Sequence, residues 1–382
     1  MIITSLLDTD HYKITMGQVI FHQFPRVHAR YSFFNRGASL FPEGFSDLLR
    51  RHIDQLADLQ ATPEEIAWLR KTVRYLKPTY LEWLAGYRFH PDEVSVRHHA
   101  GRLDIDIAGP WYRTVFWEVP LLALVSELFF AGRRPAADWE ERIKIKSAKM
   151  AAAGVHWVDF GTRRRFAFAV QDRVNEIMRR FRPAFLGTSN PYFAMKYDLS
   201  PMGTYAHEGP MALQSQVGVR HCNAAWIDAW VCEYDGDLGI ALTDTVTTPH
   251  FLSTFGLKET KLFDGLRQDS GDPAAIAGMI IRHYQTCNVD PRTKRIIFSD
   301  NLTDDRIIAL HRQFSDRIMV TGGIGTFLTN DVGQQPLNMV IKLTAADFGL
   351  GFVPVVKLSD EPGKYTGATE HIAWALQELR SS

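Results

Sequence analysis

The sequence predicts an α/β fold: an irregular (β/α) barrel preceded by an N-terminal α+β domain. Three observations predict it. From Val155 onward, short apolar runs end in polar or Gly-rich residues and amphipathic stretches follow, the rhythm of βα units on a parallel sheet. About eight such units fit in this part of the chain, the number a closed barrel needs. Residues 1–130 lack that rhythm and mix helical spacing with strand-like alternation. A doubly wound open sheet is the competing architecture, and it too gathers its ligand beyond the carboxyl ends of the strands.

In the N-terminal part, helical spacing covers 8–24, 45–58, 63–76 and 79–84. Strands are predicted over 27–34 and 103–107, where Leu103-Asp104-Ile105-Asp106-Ile107 alternates apolar and acidic residues. The most apolar stretch, 119–130, carries Glu127 and falls short of the roughly 20 apolar residues that cross a membrane, so it predicts a buried helix. A helix over 144–153 ends near Gly154. These limits put the α+β domain at 1–130 and the barrel at 131–352, with the C-terminal segment 353–382 available to complete the first domain.

Barrel strands are predicted over 155–158, 184–186, 202–206, 238–242, 265–267, 295–298, 318–320 and 339–343. The first seven run into Asp159-Phe160-Gly161-Thr162-Arg163, Gly187-Thr188-Ser189-Asn190, His207-Glu208, Thr243-Asp244-Thr245, Gln268-Asp269-Ser270-Gly271-Asp272, Ser299-Asp300-Asn301 and Thr321-Gly322-Gly323-Ile324-Gly325, in that order. An acid after a strand is often only the N-cap of the next helix, and Asp272-Pro273 fits that reading. Recurrence of functional groups at one topological position is the stronger signal, because a barrel builds its site there.

Composition narrows the chemistry. The chain has 382 residues, with 43 Lys+Arg against 43 Asp+Glu, so its formal net charge is zero. Nucleic-acid binding is disfavoured, since its affinity comes mainly from phosphate neutralisation by basic residues. Anions must instead be gathered locally. The three cysteines, Cys222, Cys232 and Cys287, form no C-x-x-C pair, which fits a reducing cytoplasm and excludes a cysteine zinc site. The first residues lack a basic leader and reach Asp8 early, so neither secretion nor membrane insertion is expected.

Each motif has a functional and a bland reading. The Gly322–Gly325 loop could present backbone N–H groups to a phosphate, or be a tight turn; it matches neither G-x-x-x-x-G-K-[ST] nor G-x-G-x-x-G. Arg163-Arg164-Arg165 opens a helical stretch where the macrodipole favours acids, so an anion would explain at least one of them. His207-Glu208 is half of H-E-x-x-H, but Met211 stands at the second His, which excludes that zinc site. His207 is then a nucleophile or general base, oriented by Glu208 or another acid. Asp244, Asp269 and Asp300 are candidate Mg²⁺ ligands, because Mg²⁺ uses one or two carboxylates with substrate phosphates.

Six ordered motifs carry a resemblance that spans nearly the whole chain and is weakest over 37–110: Leu7-Asp8-Thr9-Asp10-His11-Tyr12-Lys13, Asp159-Phe160-Gly161-Thr162-Arg163-Arg164-Arg165, Gly187-Thr188-Ser189-Asn190, Gly203-Thr204-Tyr205-Ala206-His207-Glu208, Gly265-Leu266-Arg267-Gln268-Asp269-Ser270-Gly271-Asp272-Pro273 and Ser299-Asp300-Asn301. Together they resemble the nicotinate phosphoribosyltransferase family. The resemblance implies formation of nicotinate mononucleotide and pyrophosphate from nicotinate and phosphoribosyl pyrophosphate, for NAD synthesis. It also implies Mg²⁺ dependence and coupling to ATP hydrolysis, with His207 transiently phosphorylated and Asp269 and Glu208 in the catalytic group. It further implies a homodimer, with the pyridine ring between Phe160 and a Tyr12 supplied by the second subunit. Arg267 would face the substrate carboxylate and Arg163 the ribose phosphate, while Asp300, Gly322 and Gly323 hold the phosphoribosyl unit. Related nicotinamide-using enzymes carry Asp where this chain has Ser189; losing that carboxylate would favour the acid over the amide. Gly209-Pro210, where bacterial relatives often have an aromatic, is the visible departure and bears on the next helix start.

Overall fold

The computed structural model describes residues 1–380. An N-terminal helix, His11–Gln23, precedes β1 (His28–Asn35). Short helices then lead to a hairpin of β2 (Val94–His99) and β3 (Arg102–Pro110), and to the helix Glu118–Phe130. That helix is buried through most of its length, as its composition predicts. No described helix is long and apolar enough to cross a membrane.

The parallel strands follow: β4 (His156–Asp159), β5 (Phe185–Thr188), β6 (Ser200–Pro201), β7 (Ile240–Leu242), β8 (Gly265–Gln268), β9 (Arg295–Phe298) and β10 (Met319–Ile324). Their order in the seven-stranded sheet is β6-β5-β4-β10-β9-β8-β7, and the sheet curls into a half-barrel. The gap lies between β6 and β7. The expected strand over 202–206 is an irregular segment, with only Ser200–Pro201 paired to β5. Side chains span the gap where a ladder would run: Thr204 Oγ1 donates to the Ile240 carbonyl at 2.7 Å, and the Tyr205 hydroxyl accepts from Leu242 N–H at 3.1 Å.

The expected eighth barrel strand is elsewhere. β11 (Met339–Asp347) pairs antiparallel with β1, in the register Tyr31↔Leu343 and Phe33↔Ile341. With β12 (Val353–Pro354) it completes a five-stranded sheet of order β12-β11-β1-β3-β2. The connection from β10 explains this. Its only helix is the four-residue Thr326–Thr329, which rises only about 6 Å and returns the chain too short a way for a parallel crossover. Lys342, on β11, is thereby carried to the mouth of the half-barrel.

One buried ion cluster joins the two sheets. Arg165 is wholly buried and makes two bonds to the Asp8 carboxylate, at 2.6 and 2.7 Å, and one to Glu127 at 2.8 Å. Asp8 also accepts from Asn190 Nδ2 at 2.8 Å, so the N-terminal segment is tied to the loop after β5. The Arg triplet therefore divides: Arg165 serves the fold, and only Arg163 and Arg164 reach a cavity. Arg165→Ala should cost about 3–5 kcal/mol, since it strands two buried carboxylates; urea unfolding at pH 7 measures it, and a loss below about 1 kcal/mol would contradict the assignment.

Candidate active site

The strand ends converge on two connected cavities. The narrow inner one is lined by Tyr12, Phe160, Arg163, Ser189, His207, Arg267 and Asp269, among others. It shares Phe160, Arg163, Arg267, Asp269 and Lys342 with an outer cavity of about 1020 Å³.

Local structure explains how each group is presented. The Asp159 carboxylate is buried and accepts from Gly161 N–H at 2.8 Å and from Gln171, Asn175 and Thr188 side chains at 3.0 Å each. It is consumed in holding the turn that presents Phe160. Gly322 and Gly323 are strand residues within β10 and not a free loop. A Cβ on Gly323 would collide with the Phe160 ring, and one on Gly322 would meet Ile307 at 2.9 Å. Their smallness is a packing requirement, and of the two only Gly323 lines the outer cavity.

His207 is the N-cap of the helix Glu208–Tyr234. Pro210 sits in the first turn, where a missing N–H costs nothing, and a Cβ on Gly209 would collide with the Trp226 ring. The Gly209-Pro210 pair thus suits this helix start. The His207 Nδ1 lies 3.0 Å from Thr245 Oγ1, and Nε2 lies 3.2 Å from Asp269 Oδ2 and 3.9 Å from Asp244 Oδ1. Burial, reinforced by the Lys357 ammonium, pushes the imidazole down to about 4. Burial would raise Asp269, yet Arg267 and His207 hold it well below the usual carboxylate range.

Glu208 does not orient His207. Consecutive residues on a helix diverge by about 100°, and Glu208 turns to Lys13 at 2.5 Å, Trp111 Nε1 at 2.8 Å and the Tyr31 hydroxyl. Asp269 and Thr245 take the place expected of it. Nor do Asp244, Asp269 and Asp300 form one acidic cluster. Asp300 is drawn outward to Lys364 at 2.8 Å, and the group that could hold a cation is His207, Asp244 and Asp269.

Tyr12 and Phe160 line the inner cavity of the same chain, and the Arg163 guanidinium lies 6.0 Å from the Tyr12 ring centroid. Tyr12 thus reaches this cavity from its own chain, where the resemblance implied a Tyr12 from a second subunit. The Asp8–Arg165 tie holds the N-terminal helix over its own half-barrel. Arg163 itself is ion-paired to Asp10 at 3.5 Å and Glu118 at 3.4 Å, and it borders both cavities. Arg267 reaches Asp269 at 3.1 Å and Ser299 at 3.0 Å, with its guanidinium 5.8 Å from the Phe160 ring.

Several site residues escape a sequence reading. Asp10 accepts from Ser189 Oγ at 2.6 Å and lines the inner cavity. A carboxyl group therefore stands at the very end from which Ser189 was expected to remove one, and the charge balance there belongs to Asp10, Ser189 and Arg163 jointly. Lys13, fully buried, bridges Glu118 at 2.8 Å and Glu208. Lys357 pairs with Asp244 at 3.2 Å from the C-terminal segment. Asp10 and Lys13 were visible within the first motif; Lys342 and Lys357 had no local signal.

A half-barrel whose strand ends frame a neutral histidine, beside a cavity rich in cations, defines an enzyme acting on small anionic substrates. Comparison with known proteins names the group. The chain belongs to the nicotinate phosphoribosyltransferase family: the family model matches residues 155–380, and the model of the family's N-terminal domain matches residues 7–126. It is 45% identical to a nicotinate phosphoribosyltransferase of Chromohalobacter salexigens, over 99% of this chain and 98% of that one. It is 41% identical to one of Methanosarcina acetivorans, over 96% and 95%. The crystal structure of the Porphyromonas gingivalis nicotinate phosphoribosyltransferase superposes with a TM-score of 0.96 at 40% identity, covering 99% of this chain and 100% of that one. The Vibrio cholerae structure gives 0.91 at 34% identity, covering 100% and 98%.

Asp10 supplies a test of the site's electrostatics. Burial raises its carboxyl from 3.8 to about 6, against the lowering pull of Arg163 and Ser189. A raised carboxyl stabilises the fold fully below the unfolded value, and that stability is lost as pH rises through the folded value. Between about pH 4 and pH 7 the wild type should lose roughly 3 kcal/mol through this group that Asp10→Asn does not lose. Urea unfolding of both proteins at several pH values checks this, and parallel curves would exclude it.

Proposed function

We propose that this chain makes nicotinate mononucleotide and pyrophosphate from nicotinate and phosphoribosyl pyrophosphate, in NAD synthesis, with ATP hydrolysis coupled through phosphorylation of His207. The observation that carries the reading is the division of the site into an aromatic slot and a cation-lined cavity with His207 at their junction. Tyr12 and Phe160 give an electron-poor pyridine ring two aromatic faces. Arg267, beside Phe160, is positioned for the carboxylate of nicotinate.

The outer cavity suits phosphates because its cations crowd one another. Burial, with Arg163 and Arg36 close by, lowers Arg164 to about 10. Burial and Lys357 lower Lys342 to about 7. A bound pyrophosphate or triphosphate relieves that repulsion and favours the charged form of both, above all of Lys342. Arg163, which borders both cavities, can reach the phosphoribosyl unit at the ring's edge, with Asp300 and Gly323 further out.

The phosphohistidine step follows from the state of the imidazole. A neutral ring keeps one nitrogen lone pair, which attacks the γ-phosphorus of ATP while ADP leaves. The new negative charge arises near Lys357, whose present partner is Asp244. Asp244 Oδ1 is buried without a hydrogen-bond partner and stands with Asp269 beside His207, ligand atoms within 4.8 Å of one another; the two carboxylates fit a divalent cation and leave the imidazole lone pair to the phosphorus. Mg²⁺ bound there would neutralise phosphate charge and orient the pyrophosphate leaving group. If the chain forms a homodimer, each protomer carries its own Tyr12 and hence its own complete slot.

Purified protein should form nicotinate mononucleotide from nicotinate, and faster with ATP; product from nicotinamide alone would overturn the assignment of substrate. His207→Ala should lower the ATP-stimulated rate by at least about 100-fold, and undiminished coupling would remove His207 from the phosphoryl role. Mixed Tyr12→Ala and His207→Ala proteins should show no recovery of activity, because both residues act in one chain. Recovery on mixing would place Tyr12 in a partner's site.

A further inference from the structure

The C-terminal segment crosses the edge of the half-barrel just where the frame of His207 is weakest. Thr245, the Nδ1 partner of His207, lies on the loop after β7, and β7 pairs only with β8. Two residues on, Thr247 has φ +91°, a left-handed conformation that a β-branched residue adopts only when its surroundings impose it. The next residue, Thr248, is held by Asp360, 112 residues further on. Its Oδ1 accepts from Thr248 N–H at 2.7 Å, and its Oδ2 from Thr248 Oγ1 at 2.6 Å. Beside it, Leu358 N–H donates to the Thr245 carbonyl at 2.8 Å. Asp360 N–H donates to Ser270 Oγ at 3.0 Å, and Ser270 Oγ donates to Asp244 Oδ2 at 2.6 Å.

We infer that Asp360 is a positioning residue for His207: it clamps the strained Thr247 turn, so that Thr245 and Asp244 stay aimed at the imidazole. The Asp360 carboxylate lines neither cavity, so it acts through these residues and not on substrate. Both loops that orient the ring are thereby gripped by one residue, the loop after β7 by the Asp360 carboxylate and the loop after β8 by its backbone N–H. The nicotinate slot, built from Tyr12, Phe160 and Arg267, has no part in this clamp. Loss of the clamp should therefore slow turnover and leave nicotinate binding alone. The inference rests on the transferase reading, since turnover to nicotinate mononucleotide is its readout.

Asp360→Ala should lower kcat about tenfold to 100-fold, the scale of an ångström-level misplacement, with KM for nicotinate within about twofold. Asp360→Asn, whose amide still accepts from Thr248 N–H and can donate to Thr248 Oγ1, should keep kcat within about threefold. Adding Thr247→Gly to Asp360→Ala should restore most of the lost kcat, because glycine occupies the left-handed turn without a clamp. Should Asp360→Ala not fold, Thr248→Val removes only the hydroxyl donor, and a milder loss confined to kcat is expected. Unchanged kcat in Asp360→Ala or Thr248→Val, a loss carried by KM, or no rescue by Thr247→Gly would overturn the clamp. Absence of turnover in the wild-type chain would overturn the transferase reading and this inference with it.

Discussion

The guanidinium of Arg165, buried between Asp8 and Glu127, is the contact on which the rest of the site depends. It gathers three segments distant in sequence: the N-terminal stretch before Tyr12, the apolar helix Glu118–Phe130, and the turn after β4 that presents Phe160. A buried ion cluster gains little stability over a well-packed apolar one, because desolvation offsets most of the attraction. Its value here is geometric. Each carboxylate has a single place where its charge is answered, so the two faces of the aromatic slot are set in register by charge pairing.

Around this anchor the charges are sorted by depth. Deep cations are each met by one or two acids: Lys13 by Glu118 and Glu208, Arg163 by Asp10 and Glu118, Arg267 by Asp269. Toward the mouth the balance tips: burial and neighbouring cations lower Arg164 to about 10 and Lys342 to about 7. A chain of zero net charge can thus hold an anion-seeking cavity, because seven cations line it against four acids and the balancing acids sit elsewhere. His207 lies where the two regimes meet, kept neutral by burial and by a lysine and yet aligned by a carboxylate.

The strand-end motifs were legible because a βα unit must end its buried strand before polar groups can appear, and that break is written locally. Asp159, Phe160, Arg163, Ser189 and Asp269 come from such breaks, whereas Arg267 stands within β8 and His207 follows a segment that forms no strand. What the local pattern misjudged was direction. Glu208 follows His207 in sequence but points to Lys13, since successive helical side chains diverge. Gly322 and Gly323 read as an anion loop, though they are strand residues made small by Ile307 and Phe160. Asp300 looked like a third metal ligand until Lys364, far along the chain, claimed it.

By itself the sequence determined most of the elements, though not the irregular segment 202–206 or the run of β10 through Gly322 and Gly323, and it determined which functional groups stand near the strand ends. Hydrophobic period and strand-end chemistry are short-range properties, so they survive without a partner. Only the tertiary structure decided that β11 leaves the barrel for β1, that Tyr12 and Phe160 line one cavity of the same chain, and that Lys342, Lys357 and Asp360 reach the histidine's surroundings. Those outcomes rest on sheet pairing and buried charge between segments more than a hundred residues apart, and no local pattern encodes which distant group will answer a given charge.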